Sequence, residues 1–262
     1  MVKVVSVKYI CGTYKSHKAA SQLIKRFRNR LPLHASAELA EICGYLITDG
    51  FIDVRKYYNS KKYSIVGYIS KYKRELQNFD ELVFKVFGVN GKIQDWGIRT
   101  SGTSYGYIIS NSFVTRTLVL CGVPYGNKTN KPYLTPDWII NGSKEIKRAF
   151  LRASFDSEGT VTYNKSHRRW EIKYCMYKIT SYKDNCWVYL NQLRMMLHEF
   201  GVDASNTFKH GKSIRKDGSV SHGWMIRIHR MKDLENFHQK IKFFSMKKSE
   251  RLRMAVKRMA PP

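Results

Sequence analysis

An internal repeat is the feature that most constrains how this chain can fold. The segments Ile42–Gly50 (ICGYLITDG) and Leu151–Gly159 (LRASFDSEG) both run from apolar, helix-compatible residues into an acid followed by glycine. Further matched pairs follow in the same order, and the offset between the copies grows slowly from 109 to 120 residues. Duplication followed by small loop insertions produces such a drift. The sequence therefore predicts two similar units, each with one acid at the end of a helix.

Four more matched segments support the duplication. They are Ile69–Lys73 with Ile179–Lys183, Gly88-Val89 with Gly201-Val202, Tyr105–Ile109 with His222–Ile226, and Lys128-Thr129 with Lys248-Ser249. One match of this kind would be chance, but an ordered series indicates a pseudo-symmetric protein.

The apolar spacing predicts the elements of each unit. Ser36 and Ser143 can each cap a helix whose apolar residues recur at three and four, and the two helices lead to the acids. Segments rich in Tyr, Val and Ile between Gly, Asn and Ser clusters are typical of antiparallel strands. These strands are Phe51–Tyr57, Tyr63–Ser70, Lys92–Thr100 and Tyr105–Asn111. Helical spacing recurs over Lys73–Val86 and Ser112–Cys121.

Four regions are expected along the chain. They are a basic N-terminal extension over residues 1–34, a first domain over 35–123, a linker over 124–142 and a second domain over 143–262. The linker is broken by proline and glycine. Within the extension, the basic helical stretch Lys18–Arg30 is either a DNA-backbone arm or a helix packed outside the core.

The charge balance indicates a polyanionic partner. Lys and Arg number 47 against 20 Asp and Glu, a formal charge of +27. Such an excess usually marks nucleic-acid binding, and no basic helix with a Trp/Leu face supports the membrane alternative. Five cysteines without a CxxC pair argue against a disulfide framework or a zinc finger. Because no stretch could span a membrane and no secretory leader is evident, we expect an intracellular protein, in the cytoplasm, nucleoid or an organelle.

The two nine-residue segments resemble the LAGLIDADG motif that names a family of homing endonucleases. In the first copy Gly44 stands at the helix-packing position, Asp49 at the acid and Gly50 at the final glycine. In the second copy Ala153 replaces the packing glycine and Glu158 stands at the acid. The resemblance implies an α+β fold. It would consist of two pseudo-symmetric αββαββα-type domains packed through the two motif helices, with antiparallel sheets forming a DNA-binding saddle.

The resemblance, which covers residues 35–257, also implies a function. A member of the family would be an intron-encoded endonuclease that makes a double-strand break with short 3′ overhangs in a long, pseudo-palindromic double-stranded DNA site. It would act as a monomer that behaves as a pseudo-dimer, using Mg²⁺ or Mn²⁺, whereas Ca²⁺ would bind without supporting cleavage. The alternatives on the same fold are an RNA-splicing maturase that binds intron RNA and a catalytically silent DNA-binding protein. An intein is not favoured, because the chain starts at Met and ends Ala-Pro-Pro.

Physical chemistry supports a metal between the two acids. Small residues at Gly44 and Ala153 would let two helices approach closely. Each helix would carry its acid at the carboxyl end, where the helix dipole is already negative. Two neighbouring carboxylates repel and raise a pKa, and a divalent cation with oxygen ligands removes that penalty. The alternative, two acids merely exposed to solvent, leaves the repeat and the basic charge unexplained.

The resemblance assigns roles to further residues. The expected metal ligands are the side chains of Asp49 and Glu158 and the backbone carbonyls of Thr48 and Ser157. Lysines that orient water or stabilise the transition state are expected near the metals. The repeat pairs Lys128 and Lys248 for this role, with Lys247, Lys71 and Lys183 as alternatives.

The strands are expected to read DNA, because an antiparallel sheet can lie in the major groove and offer alternate side chains to base edges. The candidate contacts are Arg55, Lys61, Lys62, Arg99, Tyr105, Lys165, Arg168, Arg169, Lys173, Lys212, Arg215 and Arg227. The basic loops Tyr57–Lys62 and Asn164–Arg169 follow each motif at equivalent places.

A loose PD…ExK nuclease pattern competes with this interpretation. It is formed by Asp137 with Glu145–Lys147, or by Asp156 with Glu171–Lys173. That chemistry needs the ExK on a strand beside the Asp, whereas Glu145 falls in the first turn of a predicted helix, where acids are favoured for capping.

Overall fold

Two four-stranded antiparallel sheets with corresponding strand orders define the architecture. The computed structural model describes residues 2–56, 62–99 and 102–258, with side chains outside 54–64 and 98–103. The backbone forms two units, Met1–Gly126 with Pro136–Gly142 and Asn127–Thr135 with Ser143–Pro262. Residues 124–142, expected as a linker, therefore contribute to both units.

The first unit contains an N-terminal module followed by one copy of the repeat. Its elements are β1 (Lys3–Val5), α1 (Val7–Gly12), α2 (His17–Phe27), β2 (Leu33–His34), α3 (Ala37–Ile47), β3 (Phe51–Lys56), β4 (Lys62–Ser70), α4 (Lys73–Phe87), β5 (Lys92–Arg99), β6 (Gly102–Ser110), α5 (Ser112–Leu120) and α6 (Asp137–Ile140). Strands β1 and β2 pair with each other, and the main sheet has the order β3-β4-β6-β5.

Aromatic rings hold helix α3 and helix α4 against this sheet. The ring centroid of Tyr45 lies 5.0 Å from that of Tyr68 and 5.9 Å from that of Phe79, which in turn lies 5.1 Å from that of Tyr107. All four side chains are buried. A slip of one residue in a strand would turn Tyr68 or Tyr107 to the other face, so this cluster sets the register.

The N-terminal module packs on the first unit through α2. The Phe27 ring stacks on Phe113 of α5 with centroids 4.0 Å apart, and Arg30 donates to the Lys85 carbonyl at 2.8 Å. No acid precedes Glu38 in the sequence. The region of α2 therefore contributes no acid of its own, and its exposed cations are Lys18, Lys25, Arg26 and Arg28.

The second unit repeats the αββαββα plan and adds one further helix, α10, among the described residues. Its elements are α7 (Lys144–Glu158), β7 (Gly159–Asn164), β8 (Arg169–Ile179), α8 (Lys183–His198), β9 (Phe208–Ile214), β10 (Val220–Ile228), α9 (Met231–Lys240) and α10 (Met246–Val256). The sheet order is β7-β8-β10-β9. The Phe155 ring of α7 packs on Tyr174 of β8 at 5.0 Å and on Phe237 of α9 at 5.2 Å, which fixes the motif helix to its own sheet.

The predicted α+β fold with two antiparallel sheets is confirmed, and so are its main end signals. The Ser36 hydroxyl accepts the Leu39 N–H at 3.2 Å, and Ser143 accepts the Ile146 N–H at 3.5 Å. Gly88 ends α4 with φ 69°, in the left-handed region that glycine adopts without steric penalty. Packing through the two motif helices and a saddle formed by both sheets remain predictions.

Two boundaries differ from the sequence-based expectation by more than one residue. Strand β6 begins at Gly102 rather than Tyr105, because pairing with β5 extends to Arg99 opposite Gly102 and overrides the weak strand propensity of glycine. The helix expected over Lys18–Arg30 ends at Phe27 and tightens into a 3-10 turn over Arg28–Arg30.

Candidate functional site

The first acid of the repeat lies just past the end of α3. Residues 41–48 are buried, whereas Asp49 is exposed. The Thr48 hydroxyl donates to the carbonyls of Gly44 and Tyr45 at 2.7 and 3.1 Å. These bonds satisfy carbonyls that a helix end leaves open. The helix thus ends at a defined residue and places Asp49 at the surface of the first unit.

The second acid is Glu158, the last residue of α7, and it too is exposed. Asp156, two residues earlier, is buried and has a different task. Its carboxylate accepts the N–H groups of Phe244 and Ser245 at 2.9 Å each, at the start of α10. A carboxylate at a helix N-terminus stabilises it through hydrogen bonds and the helix dipole. Asp156 therefore has a structural role, and Glu158 is the exposed acid of the two.

Lys248 of α10 closes the carboxyl end of α7. Its ammonium donates to the carbonyls of Phe155 at 3.3 Å, of Ser157 at 3.0 Å and of Asp156. A cation is favoured at this end of a helix, where several carbonyls have no helical partner. The position predicted to carry a catalytic lysine thus lies directly beside the expected carbonyl ligand, Ser157.

The two helix ends provide the hard oxygen donors that Mg²⁺ and Mn²⁺ require. Each offers an exposed carboxylate, Asp49 or Glu158, and a backbone carbonyl one residue earlier. The Ser157 carbonyl already accepts Lys248, but a carbonyl oxygen has a second lone pair. Across residues 2–56, 62–99 and 102–258, no group of three or more His, Cys, Asp or Glu could hold a metal. Metal binding by this chain would therefore rely on single acids with backbone oxygens.

Lys128, the other lysine that the repeat singles out, starts a 3-10 turn over Lys128–Asn130 in the second unit. This turn is held by Lys178 of β8, whose ammonium donates to the carbonyls of Lys128 and Lys131 and lies 3.6 Å from the centroid of the Tyr133 ring. Burial lowers the pKa of Lys178 to about 7, and the Lys128 charge adds to the effect. The sequence did not single out Lys178, because a lysine in a strand is normally exposed to solvent.

The side chains of strand β8 alternate between the two faces of the second sheet. Trp170, Ile172, Tyr174 and Met176 are buried, and Tyr174 contacts α7, so these residues face the helices. The alternate residues Arg169, Glu171, Lys173, Cys175 and Tyr177 lie on the opposite, open face. Arg227 of β10 is opposite Lys173 and lies over the Phe208 ring at 4.7 Å. Three predicted DNA contacts, Arg169, Lys173 and Arg227, thus share one open sheet face.

The remaining described candidates lie elsewhere. Lys165 and Arg168 belong to the turn between β7 and β8. Lys212 pairs opposite His222, which is itself opposite the buried Lys178, so Lys212 points to the helix side.

Tyr105 in the first unit shares the face of the buried Tyr107, with its ring centroid 4.9 Å from Lys73 Nζ. Arg215 donates to the side chain of Asn130. Lys61 lies outside the described residues, as do the side chains of Arg55, Lys62 and Arg99.

One buried residue of the open face, Glu171, is not among the residues that the sequence singled out as DNA contacts. It accepts hydrogen bonds from Asn164 at 3.1 Å and from Arg169 Nε at 3.0 Å, and these bonds with Lys173 and Arg227 nearby lower its pKa despite burial. The alternation Arg169-Glu171-Lys173 in a strand could have revealed the cluster, since a period of two puts all three on one face. Glu171 therefore shares no site with Asp156, and a PD…ExK site is not formed by these residues.

Comparison with known proteins gives a family match for the second half. Residues 145–242 match the family model described as a LAGLIDADG-like domain. Among curated proteins, the RNA polymerase subunit Rpo1N of Methanocaldococcus jannaschii is 28% identical over 240 residues, 86% of this chain and 17% of that protein. The replication factor C small subunit of the same organism is 28% identical over 167 residues, 63% of this chain and 9% of that protein.

The tRNA-splicing ligase RtcB of Methanopyrus kandleri is 31% identical over 84 residues, 32% of this chain and 8% of that protein. This chain spans less than a fifth of the length of these three relatives. The names of these three relatives describe unrelated activities. The similarity to this chain therefore concerns the matched segment of each relative.

Solved structures extend the likeness to both halves. Variants of the homing endonuclease I-DmoI match 79% of this chain and 96% of theirs, with a TM-score of 0.52 and 17% identity. An I-DmoI variant bound to its nicked target DNA with Mn gives 0.51 and 16%, and one bound to target DNA with Mg gives 0.52 and 17%, at the same coverage. At these identities the similarity establishes the fold. Residues 145–242 thus match the LAGLIDADG-like domain, and the chain as a whole shares its fold with the homing endonuclease I-DmoI.

Proposed function

We propose that this chain is a divalent-metal-dependent endodeoxyribonuclease that makes a double-strand break in a long DNA site. One observation carries the proposal: the two copies of a duplicated unit each end their motif helix with an exposed acid, Asp49 in one and Glu158 in the other, within a chain of charge +27. Exposed carboxylates in a positive field are where a nuclease would hold metal ions against a phosphate backbone.

The acids would act together as metal ligands, with the carbonyls of Thr48 and Ser157 as further oxygen donors. A bound Mg²⁺ or Mn²⁺ would polarise the scissile phosphate and lower the pKa of the attacking water. Lys248, held by three carbonyls at the end of α7, would keep its positive charge beside Glu158 and stabilise charge on the phosphate. Lys128 would take the corresponding role for the other strand of the DNA.

The partner would be double-stranded DNA with two unlike half-sites. The open face of β8 and β10 places Arg169, Lys173 and Arg227 together, and such a face can enter a major groove. I-DmoI, which shares the fold, has been crystallised with its target DNA in the presence of Mn or Mg. The proposal includes short 3′ overhangs, action as a monomer, an intron-encoded origin and an intracellular location. Within the part of the chain that the structure describes, no helix is long and apolar enough to cross a membrane.

The test is cleavage of a randomised plasmid library by the wild-type chain with Mg²⁺, followed by sequencing of the ends. The proposal requires one long preferred site, cut on both strands. Asp49→Asn and Glu158→Gln should each abolish cutting while DNA binding stays nearly intact, because neither acid is among the proposed DNA contacts. Glu81→Gln, which removes an exposed acid from α4, is the matched control and should cut normally.

Full cleavage by either motif variant would overturn the assignment of the metal ligands. Absence of DNA cleavage by the wild type, together with tight binding to structured intron RNA, would instead favour the maturase alternative. Specific DNA binding without cleavage under any divalent metal would favour the silent DNA-binding alternative.

A further inference from the structure

We propose that Arg169 and Glu171 form a single base-reading unit, in which Glu171 orients the Arg169 guanidinium so that its terminal nitrogens recognise a guanine in the major groove. The inference rests on the proposed DNA-binding function and deepens it, since it names a base and the residue pair that reads it.

The geometry of the pair selects which guanidinium nitrogens remain available. Arg169 donates to Glu171 through Nε, at 3.0 Å. No hydrogen bond of the described residues involves its two terminal nitrogens, and its side chain is 36% exposed. A guanidinium held at Nε presents those two nitrogens as a planar fork. Such a fork matches O6 and N7 of guanine, the commonest specific contact of arginine with DNA.

Burial decides which member of the pair can touch DNA. The Glu171 side chain is 0% exposed, so its carboxylate cannot reach a cytosine amino group. Glu171 is also bound by Asn164 at 3.1 Å, and its second oxygen lies 3.5 Å from Lys173 Nζ. Glu171 is therefore a positioning residue that acts through Arg169, and Arg169 is the residue that would contact the base.

The charge of Glu171 needs an explanation on this face. A carboxylate among cations that bind phosphates repels the DNA and weakens purely electrostatic binding. Its burial also removes it from water, which is unfavourable without ionic partners. Fixing an arginine fork reduces the rotamer entropy that is lost on binding and gives the contact a direction. Glu171 thus favours selectivity at the expense of non-specific affinity.

Lys173 and Asn164 complete the arrangement in different ways. An ammonium is a point charge without fork geometry, so Lys173 fits a phosphate rather than a particular base. Asn164 accepts the His167 N–H at 3.3 Å with its carbonyl oxygen while its amide donates to Glu171. The reading pair is thereby linked to the turn between β7 and β8, which carries Lys165 and Arg168.

The experiment measures binding of the full chain to every single-base variant of the site that it selects from a random library. The probes are the wild type, Arg169→Lys, Glu171→Gln and the control Arg253→Lys, which changes an exposed arginine of α10 outside the candidate DNA contacts. Thermal unfolding of each variant checks folding, because Glu171→Gln alters a buried group. Arg169→Lys keeps the charge on an exposed side chain, and so it tests the proposal even if Glu171→Gln does not fold.

The wild type should prefer guanine at one position by about tenfold or more over any other base. Arg169→Lys should lose most of this preference at that position alone, and Glu171→Gln should weaken it while non-specific affinity stays equal or rises. Arg253→Lys should leave the base profile unchanged. An unaltered profile in Arg169→Lys, or a loss of preference spread evenly over the site, would overturn the inference and leave the proposed function standing. A wild type without any sequence preference for DNA would overturn both.

Discussion

Replacing Lys178 by methionine should remove a pH dependence from the stability of the protein. The Lys178 side chain is fully buried and donates to two backbone carbonyls rather than to a carboxylate. Burial, with the charge of Lys128, lowers the pKa of Lys178 from 10.5 to about 7. A neutral amine still has two N–H groups, enough for the carbonyls of Lys128 and Lys131. Deprotonation can therefore occur without breaking either hydrogen bond.

The sign and size of the effect follow from the two pKa values. The folded state binds this proton more weakly than the unfolded state, so the contribution of Lys178 to stability rises as the pH passes from about 7 to about 10.5. Each pKa unit corresponds to about 1.4 kcal/mol, which gives a total of about 5 kcal/mol over the whole range. Between pH 6 and pH 9 the expected gain in unfolding free energy is about 3 kcal/mol.

Urea unfolding at pH 6, 7.5 and 9, followed by circular dichroism, measures this gain. Tyrosines and cysteines also titrate in the range, so the informative quantity is the difference between wild type and Lys178→Met at each pH. That difference should grow by about 3 kcal/mol from pH 6 to pH 9. Lys173→Met, on the opposite face of the same strand, should keep the wild-type slope. Parallel pH profiles for the wild type and Lys178→Met would show that the buried amine keeps its proton and would refute the argument.

Three further substitutions test the supports of the candidate site. Lys248→Met should lower the unfolding free energy by about 1–2 kcal/mol, because three carbonyls at the end of α7 lose their cation, and it should also slow cleavage. Lys247→Met changes the exposed neighbouring lysine and should alter neither stability nor cleavage. Asp156→Asn should lower stability by about 1–2 kcal/mol in urea unfolding through loss of the α10 cap, with DNA affinity unchanged. Phe27→Ala should lower stability by about 3–5 kcal/mol by removing a ring stacked on α5, and unchanged stability would contradict the packing of the N-terminal module.

The parts of the fold that follow local rules could be predicted from the sequence. Ser36 and Ser143 act as helix caps because a serine hydroxyl reaches an N–H three residues on, and Gly88 ends a helix because glycine accepts positive φ. The repeat could be recognised for a similar reason, since each copy carries its own caps, apolar spacing and acid.

The roles of individual side chains in the candidate site depend on contacts between residues that are distant in the sequence. Asp156 and Glu158 are two residues apart, and their roles separate only because α10 begins where Asp156 can cap it. Lys178 looks like any strand lysine until the turn at Lys128 is placed beneath it. Such pairings depend on tertiary packing, for which neither propensity nor period gives a signal.

The positions of the acid and of the reading pair along β8 give an expected distance on the DNA. Glu158 immediately precedes Gly159, which pairs with Tyr174 of β8, so the acid lies close to Cys175 along the strand. Arg169 is six residues from Cys175 on the same strand, about 20 Å at 3.3 Å per residue. A strand aligned with the groove covers about six base pairs over this length, since the duplex rises 3.4 Å per pair. The guanine preferred through Arg169 should therefore lie about six base pairs from the cut in one half-site, and mapping both on one duplex would show it. A preferred guanine within two base pairs of the cut would mean that β8 does not run along the groove.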